Sequence, residues 1–384
     1  MDSLVIDDVD GINHVNQLIN NSTFVIFGGA GYIGSHVSQL LMAKGAKKII
    51  VIDNLGGEKT TKRFEVLKAQ NIECVQLDLD KDFDSIEEIV MQESDIDYVL
   101  YLAFSIEPYL SVLDPQSICT EINRFTKTLN MISAIDSVKK FVYASSADVY
   151  GEIYTDIELN ENMKCNPLTP YAAMMHSCEN IANSFTGTIG LPTLGLRFFN
   201  IYGPDQKTIA KPNEQEYDLN NVAVWIKDAF NGNPLTLDCT ATDIISMCHI
   251  YDCTELIIRS IIGPIDNNEL TNLSVLNIGD SFYVNKLEVA ELIATMVAHI
   301  LKLDKPCSIE QLPINFMQSL ITGEDETDDS SIFSYQKIDL TNMIKYTQYL
   351  PQMTLMKGIQ ETISTQANIY LGQLEAETEL KEKK

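Results

Sequence analysis

A glycine-rich segment near the amino terminus has the residue types and spacing of a dinucleotide-binding turn. In the stretch FVIFGGAGYIGSHV, Gly28, Gly31 and Gly34 recur at every third position, and Gly29, Gly31 and Gly34 also satisfy the pattern GxGxxG. Glycine permits a positive φ, a close approach of backbone amides to a pyrophosphate, and tight packing of a helix on a strand. The segment therefore predicts an anion site at the N-terminus of a helix.

An acidic residue follows this turn at the distance that a bound nucleotide requires. The next apolar run, KIIVID, ends at Asp53, which is 19 residues after Gly34. A carboxylate there can accept hydrogen bonds from both hydroxyls of the adenosine ribose, and it repels a 2'-phosphate. A glycine-rich turn alone also occurs in α/β proteins that bind no nucleotide, but the turn together with Asp53 predicts a site for NAD rather than NADP.

The elements that position these residues alternate between strand and helix. Apolar, β-branched runs lie at Thr23–Phe27, Lys48–Asp53, Ile72–Gln76, Tyr98–Leu102 and Lys140–Ser145, with helical patterns between them. Strands and helices that alternate at this spacing form a parallel, doubly wound sheet. We therefore predict an α/β Rossmann fold with a smaller C-terminal substrate-binding lobe.

The chain divides into four segments by composition and pattern. We predict an N-terminal extension at 1–22 with one short helix at Ile12–Ile19, and an NAD-binding domain at 23–203 that segments near 221–260 and 274–301 complete. Residues 204–365 form mostly the substrate lobe, with helices at Val222–Asn231 and Val284–Leu301, strands at Pro234–Leu237 and around Asn277, and an acidic loop at 323–331. A charged tail occupies 366–384.

Composition excludes several classes of partner. The formal net charge of -27 and the pI of about 4.4 disfavour nucleic acid and anionic membrane surfaces. No apolar run is long enough to span a membrane and no signal peptide pattern begins the chain, so we expect a cytoplasmic protein. The eight cysteines and five histidines show no metal-ligand spacing, and we predict no metal site.

Further motifs follow in an order typical of one family. FVYASSADVYG at 141–151, NPLTPYAAMM at 166–175 and LRFFNIYGP at 196–204 resemble motifs of the extended short-chain dehydrogenases in the NAD-dependent epimerase/dehydratase family, which act on nucleotide sugars. The resemblance covers roughly residues 23–365. It implies that Ser146 hydrogen-bonds a sugar oxygen, that Tyr171 is the acid/base, and that Asn200 contacts the substrate diphosphate. Asp148, close to Ser146, joins the predicted catalytic residues.

The same resemblance extends to the cofactor. QLDLD at 76–80 and YLAF at 101–104 resemble the family's segments around the adenine, where Asp78 would reach the base and Leu79 would pack beneath it, and Asn123 stands at the family's helix asparagine. The predicted cofactor contacts are Gly28, Gly31, Tyr32, Ile33, Gly34, Asp53, Asn54, Asp78, Leu79, Leu102, Ala103 and Tyr171. The family often dimerises through the helix after Asn123 and the helix that carries Tyr171, so we expect a homodimer.

One departure from the family concerns the catalytic lysine, which follows the tyrosine by four residues. Met175 occupies that position. In the family the lysine binds the nicotinamide ribose and lowers the pKa of the tyrosine, and methionine does neither. A tyrosine with an unperturbed pKa near 10 is ionised in about one molecule in a thousand at neutral pH. His176 is the nearest titratable neighbour, but it lies about 100° further round the helix.

A second departure concerns the substrate lobe. Aligned on Asp252, the family's Arg-Asp-Phe tripeptide corresponds to Ile245-Ser246-Met247, so the arginine that clamps the diphosphate is absent. Three lysines, Lys207, Lys211 and Lys227, are candidates to replace it.

Three functions remain open at this point. The first is NAD-dependent oxidoreduction at C4 of a nucleotide sugar, most simply 4-epimerisation, with dehydration or decarboxylase-like 4-keto chemistry as variants because Ala147-Asp148 keeps one of the two acids of the dehydratases. The second is a pseudoenzyme that retains the NAD pocket for a regulatory or structural role. The third is an enzyme with an altered substrate and another base, such as Asp148 or His176.

Overall fold

The computed structural model describes residues 9–106, 108–206, 222–237, 244–264, 273–311 and 335–367, which contain fifteen strands, twelve α-helices and a 3₁₀ helix at Ala147–Tyr150. The strands are β1 Thr23–Phe27, β2 Lys48–Asp53, β3 Glu73–Gln76, β4 Tyr98–Tyr101, β5 Lys140–Ser146, β6 Glu158–Leu159, β7 Thr193–Phe198, β8 Ile201–Tyr202, β9 Leu235–Leu237, β10 Ile244–Ser246, β11 Cys248–His249, β12 Val275–Ile278, β13 Tyr283–Asn285, β14 Ile309–Gln311 and β15 Tyr335–Ile338. The helices are α1 Val9–Asn20, α2 Tyr32–Ala43, α3 Glu58–Ala69, α4 Phe83–Gln92, α5 Pro108–Leu113, α6 Ser117–Ser133, α7 Pro170–Ile189, α8 Val222–Asn231, α9 Ile250–Ile262, α10 Lys286–Leu301, α11 Thr341–Thr347 and α12 at 355–367.

The central sheet has seven strands in the order β12-β7-β5-β4-β1-β2-β3, and all of its pairs are parallel. This order confirms the predicted Rossmann fold. The order of the strands reverses between β1 and β4, because β2 and β3 extend the sheet on one side of β1 and β4 begins the other side. Ligands of such folds bind at this point, beyond the carboxyl ends of the strands.

Alternating residues of each strand build two cores, one on each face of the sheet. Val25 and Phe27 pack with residues of α4, α6 and α7, whereas Phe24 and Ile26 pack with residues of α1, α2 and α9. The period of two follows from the pleat of a strand. Because both faces are covered, the strands read as nearly continuous apolar runs.

The smaller lobe has a core of its own. The helices α8 and α10 pack against each other and against β9, around Trp225, Ile226 and Ile293. A four-stranded sheet in the order β13-β10-β15-β6 lies beside this core. Among the segments predicted to complete the Rossmann domain, β12 joins the central sheet and α9 packs on it.

Several predicted boundaries differ from the structure by one to three residues, among them those of α1, β3 and α10. The helix in the N-terminal segment is longer than predicted and buries Val15 and Ile19 against the central domain. The amide of Ile72 still donates to the Leu67 carbonyl oxygen at the end of α3, so β3 begins one residue later. Val284 belongs to β13 rather than to α10.

None of the helices in the described part of the chain combines the length and the apolar character that crossing a membrane requires. The acidic loop at 323–331 and the tail at 366–384 fall outside the described residues, except for residues 366 and 367 at the end of α12.

Candidate functional site

The turn between β1 and α2 has the geometry that its glycines predict. Gly28 has a φ of +75°, and its amide donates to the Ile52 carbonyl oxygen at 2.8 Å. A Cβ on Gly28 would lie 2.7 Å from the carbonyl carbon of Leu102, and a Cβ on Gly34 would overlap the carbonyl oxygen of Gly28. The glycines therefore let three backbone segments meet beside the N-terminus of α2, where unpaired amides attract an anion.

Asp53 ends β2 as a buried carboxylate whose orientation is fixed by the backbone. Its Oδ2 accepts from the amide of Ala30 at 3.0 Å, and its Oδ1 accepts from the amide of Leu55 at 2.9 Å. Burial raises the pKa of Asp53, and these two amides partly offset that effect. Each oxygen keeps a further lone pair, which is what bonding to two ribose hydroxyls requires.

Asp78 lies beside Asn54 at the end of the next strand. The Asp78 carboxylate accepts from the amide of Asp80 at 2.9 Å and from the Asn54 Nδ2 at 3.4 Å. The hydrogen bond from the Asp80 amide is the main cause of the lowered pKa of Asp78. The side chain is therefore ionised and oriented before a ligand binds.

A cavity of about 210 Å³ joins these residues, and we refer to it as the cofactor cleft. Most of the predicted cofactor residues line it: Gly28, Gly31, Asp53, Asn54, Asp78, Leu79, Leu102 and Ala103. Tyr32, Ile33 and Gly34 are not in the lining, since they form the first turn of α2. The glycine turn, the helix N-terminus and the ribose-facing carboxylate together fit a dinucleotide.

Arg124 is a cleft residue that the sequence pattern did not identify. Asn123 is exposed, whereas Arg124 lines the cleft together with Ser105. The guanidinium of Arg124 donates to Asp80 at 2.9 Å, to the Ser105 hydroxyl at 3.1 Å and to Glu121 at 2.8 Å. Adjacent helical residues point about 100° apart, so only the rotational setting of α6 decides which of the two reaches the cleft.

The end of β5 holds the predicted sugar-binding hydroxyl in a tight turn. Ser146 is the last residue of β5, and its Oγ accepts from the amide of Asp148 at 3.1 Å. Burial raises the pKa of Asp148, while the hydroxyl of Ser146 and the positive charge of Lys286 act in the opposite direction. Lys286, the buried first residue of α10, is a cation near the predicted catalytic acid that the sequence pattern did not identify.

Tyr171 lies in the first turn of α7. Thr169 caps the helix by accepting from the amide of Ala172 at 3.1 Å, and Pro170 occupies the first helical position, where its fixed φ favours the helix. The amide of Tyr171 donates to the Ser111 hydroxyl at 3.0 Å. Since α7 packs against β5 and the turn that follows it, the start of α7 and the end of β5 belong to one region.

Met175 packs in the core beneath that region. It is 2% exposed and belongs, with Met174, to the apolar cluster that covers one face of the central sheet. A lysine at this position would start in the core, and its ammonium group would have to extend from there to the cleft. The methionine fills the space as expected of an apolar side chain.

One turn beyond Met175, Glu179 anchors α7 to the sheet. Glu179 accepts from the Ser145 hydroxyl at 2.7 Å and from Arg197 at 2.8 Å through each of its oxygens. Arg197 also donates to the Tyr150 hydroxyl at 2.9 Å. Burial opposes ionisation of Glu179, but the guanidinium prevails and lowers the pKa of this carboxyl.

His176, the alternative base considered above, belongs to the same network. Its Nδ1 lies 3.2 Å from Glu179, so the ring is oriented toward that carboxylate. The sulfur of Cys165, the imidazole and the carboxylate lie within 4.8 Å of one another, as metal ligands do. However, Arg197 donates to the Cys165 sulfur at 3.3 Å and to Glu179, and its positive charge repels a metal ion from this position.

The predicted diphosphate side carries fewer charges. Asn200 donates from Nδ2 to the Ser246 carbonyl oxygen at 2.9 Å and to Gln336 at 3.2 Å. Ile245, where the sequence resemblance predicts an arginine, is buried in the core of the smaller lobe. Lys227 lies on α8, and Lys207 and Lys211 fall outside the described residues.

Comparison with known families agrees with this architecture. A family model described as the NAD dependent epimerase/dehydratase family matches residues 24–278. The chain belongs to this family. Membership confirms the predicted resemblance and NAD as the cofactor.

Two relatives of this chain have names that describe reactions of nucleotide sugars. The dTDP-D-glucose 4,6-dehydratase of Dictyostelium discoideum is 28% identical over 292 residues, which cover 70% of this chain and 60% of that protein. The UDP-glucose 4-epimerase of Rhizobium meliloti (strain 1021) is 30% identical over 190 residues, which cover 49% of this chain and 54% of that protein. The chain thus spans a little over half the length of these two relatives.

Solved structures of two UDP-glucose 4-epimerases share the fold over about nine tenths of the chain. The UDP-glucose 4-epimerase of Thermotoga maritima with UDP-glucose superposes with a TM-score of 0.72 at 21% identity, covering 90% of this chain and 99% of that one. The UDP-glucose 4-epimerase of Thermus thermophilus in complex with NAD gives a TM-score of 0.71 at 21% identity, with coverages of 89% and 98%.

Proposed function

We propose that this protein catalyses NAD-dependent oxidation and reduction at C4 of a nucleotide sugar, with 4-epimerisation as the net reaction. The observation that carries the proposal is the shared location of Ser146 at the end of β5 and Tyr171 at the start of α7, two elements that pack together at the carboxyl edge of the sheet. The family membership supports this class of reaction.

In the proposed mechanism the protein moves protons and orients the sugar. Bound NAD supplies a hydride acceptor and donor. Ser146 hydrogen-bonds the oxygen at C4, and Tyr171 takes the proton of that hydroxyl as C4 is oxidised and returns it when the opposite face is reduced. Asn200 contacts the diphosphate. Asp148, whose amide donates to the Ser146 hydroxyl, adds a second polar side chain to the site.

The methionine at position 175 predicts how this reaction depends on pH. A lysine there would add a positive charge that favours the tyrosinate. Without it, the tyrosinate lacks that stabilisation. We expect slow turnover that increases about tenfold for each unit of pH below the pKa of the tyrosine.

The deciding experiment is turnover of UDP- and dTDP-sugars with added NAD by the native protein and by Met175→Lys, followed by absorbance near 340 nm and by product analysis. Turnover by the native protein, abolished in Tyr171→Phe, supports the proposal, and Met175→Lys should then shift the pH profile toward neutral pH. Activity in Met175→Lys alone would contradict native catalysis and favour the pseudoenzyme. Silence in both variants, with NAD bound, would contradict the proposed chemistry.

We also propose that the protein forms a homodimer. The helices α6 and α7 pack side by side on one face of the sheet, and the family resemblance implies that this pair forms the interface. Light scattering of the purified chain distinguishes a dimer of about 86 kDa, twice the 43.0 kDa of the chain, from a monomer.

A further inference from the structure

The segment that follows β8 is attached to α3 by two cationic side chains. The Nε of Arg63 donates to Asp205 at 2.7 Å, and a second guanidinium nitrogen donates to the carbonyl oxygen of the same residue. The ammonium group of Lys59 donates to the carbonyl oxygen of Gln206 at 2.7 Å. We call these four residues the α3 clasp.

The α3 clasp lies next to the cofactor cleft. Thr60, between the two clasp cations on α3, lines the cleft. The guanidinium of Arg63 lies 5.7 Å from the ring centre of Tyr32, the first residue of α2, and its positive charge acts to lower the pKa of Asp53. The clasp therefore stands beside both the ribose carboxylate and the helix that begins at the glycine turn.

The segment held by the clasp is the stretch 203–206, which follows directly on β8. A Cβ on Gly203 would lie 3.1 Å from the Tyr32 hydroxyl, so this segment packs directly on α2. Asn200, Gly203 and Asp205 have φ values of +36°, +147° and +61°. Such conformations persist in non-glycine residues only where surrounding contacts enforce them. The paired contacts of Arg63 with Asp205 supply that enforcement.

The cations of the α3 clasp contact the segment after β8 and are partly or largely shielded from water. The Arg63 side chain is only 10% exposed, against 45% for Asp205. Burial lowers the pKa of Lys59, so holding its ammonium here costs free energy that an exposed lysine would not incur. Both cations are paired with the segment after β8, which packs on α2 and α3 at the edge of the cleft.

We infer that Arg63 and Asp205 are positioning residues that hold the segment after β8 against α2 and α3 at the edge of the cofactor cleft and thereby slow the release of NAD. On this inference, opening of the clasp frees the segment from α2 and α3, the two helices that border the cleft, and so lets the dinucleotide leave. Retention matters if one cofactor both accepts and returns the hydride, and in this respect the inference rests on the proposed function. The inference about release itself depends only on NAD binding.

The test is a displacement experiment. Protein loaded with NADH is mixed with excess NAD, and the loss of NADH fluorescence gives the dissociation rate constant. We expect Arg63→Met and Asp205→Asn each to raise this rate constant about tenfold, in line with couplings measured for close charge pairs. The double variant should be no faster than either single variant, since both open the same contact.

The direction in which each substitution changes the release rate distinguishes the inference from its main alternative. If Arg63 acts only by attracting the anionic cofactor, then Asp205→Asn removes a repelling charge and slows release, which would overturn the inference, as would unchanged rates in both variants. Lys62→Met is the matched control, because Lys62 is an exposed cation of α3 paired with Glu58, and its release rate should equal that of the native protein.

The displacement experiment can still be interpreted if one of the variants is unstable. Asparagine tolerates a positive φ as well as aspartate does, so Asp205→Asn keeps the backbone of the segment and tests the inference even if Arg63→Met is unstable. Because the readout is release of NADH without a sugar, it remains informative if the proposed epimerisation fails, and a failure of the clasp leaves that proposal intact.

Discussion

The cofactor cleft and the reaction side, by which we mean Ser146, Asp148, Tyr171, Met175, Asn200 and Ile245, differ in how they use charge. Around the cleft, Asp53 and Asp78 are fixed by backbone amides, and Arg124 is held by two carboxylates. On the reaction side, Met175 and Ile245 are buried apolar side chains at the two positions where the sequence resemblance predicts a cation. Cofactor binding and turnover can therefore be tested as separate properties of this chain.

The largest effect should come from the glycine turn. Gly28→Ala would add a Cβ 2.7 Å from the Leu102 carbonyl carbon at a φ of +75°. We expect a loss of about 2–4 kcal/mol in the free energy of unfolding, together with loss of NAD binding. Thermal denaturation and NADH titration measure both.

Gly187→Ala is the control for that change, because no atom outside its own helix lies within 4 Å of a Cβ at this position of α7. Alanine should raise the free energy of unfolding by up to about 1 kcal/mol there. Equal effects of the two substitutions would refute the claim that the turn is built around missing side chains.

A buried acid that contacts the residue after Ile245 should give an intermediate effect that depends on pH. Asp280 follows β12, and the Ser246 hydroxyl donates to its carbonyl oxygen. Burial raises the pKa of Asp280 to about 6, so the folded protein penalises its charged form. Stability from this group is full below about pH 4 and decreases as the pH rises to about 6.

Asp280→Asn removes that penalty. We expect the variant to exceed the native protein by up to about 2–3 kcal/mol in the free energy of unfolding at pH 7, and by little below pH 4, as urea denaturation across this range would show. Asp304→Asn, an exposed residue with the same change in charge, should leave the pH dependence unchanged. A gain for Asp280→Asn that is equal at pH 4 and pH 7 would rule out this electrostatic origin.

The smallest effect should come from Met175→Leu. If Met175 only fills space, a leucine of similar volume costs less than about 1.5 kcal/mol and leaves NADH release and any turnover at native levels. A selective loss of turnover with native stability would mean that the thioether has a chemical role.

Much of the cofactor cleft followed from the sequence because it depends on local patterns. The glycine spacing, the end of β2 at Asp53 and the order of strands are consequences of residue type and period. Arg124 was missed because the choice between it and Asn123 depends on the rotation of α6 against its neighbours. Val284 was assigned to a helix because its apolar pattern continues into α10, whereas the side chain of Asn285 accepts from the Leu287 amide at 2.8 Å and sets the helix start.

The reaction side was harder to predict because its contacts join distant parts of the chain. Besides the neighbouring His176, the partners of Glu179 come from β5 and β7, and no local pattern pairs them with α7. The clasp has the same character, since Arg63 and Asp205 are 142 positions apart. Such contacts depend on how elements pack, which the sequence of each element does not specify.

The polar network around Glu179 also bears on how the chain folds. It continues from Tyr150, whose hydroxyl donates to Asn277 at 2.7 Å, and through Glu161, which accepts from the Asn277 amide at 2.9 Å and from Asn342 at 2.7 Å. A ribosome-bound chain that ends before Asn277 would leave the Tyr150 hydroxyl and the Glu161 carboxylate without these partners. We therefore expect β5, β7 and β12 to gain protection from hydrogen exchange in a single late step, after synthesis has passed residue 342, as one cooperative unit of high contact order.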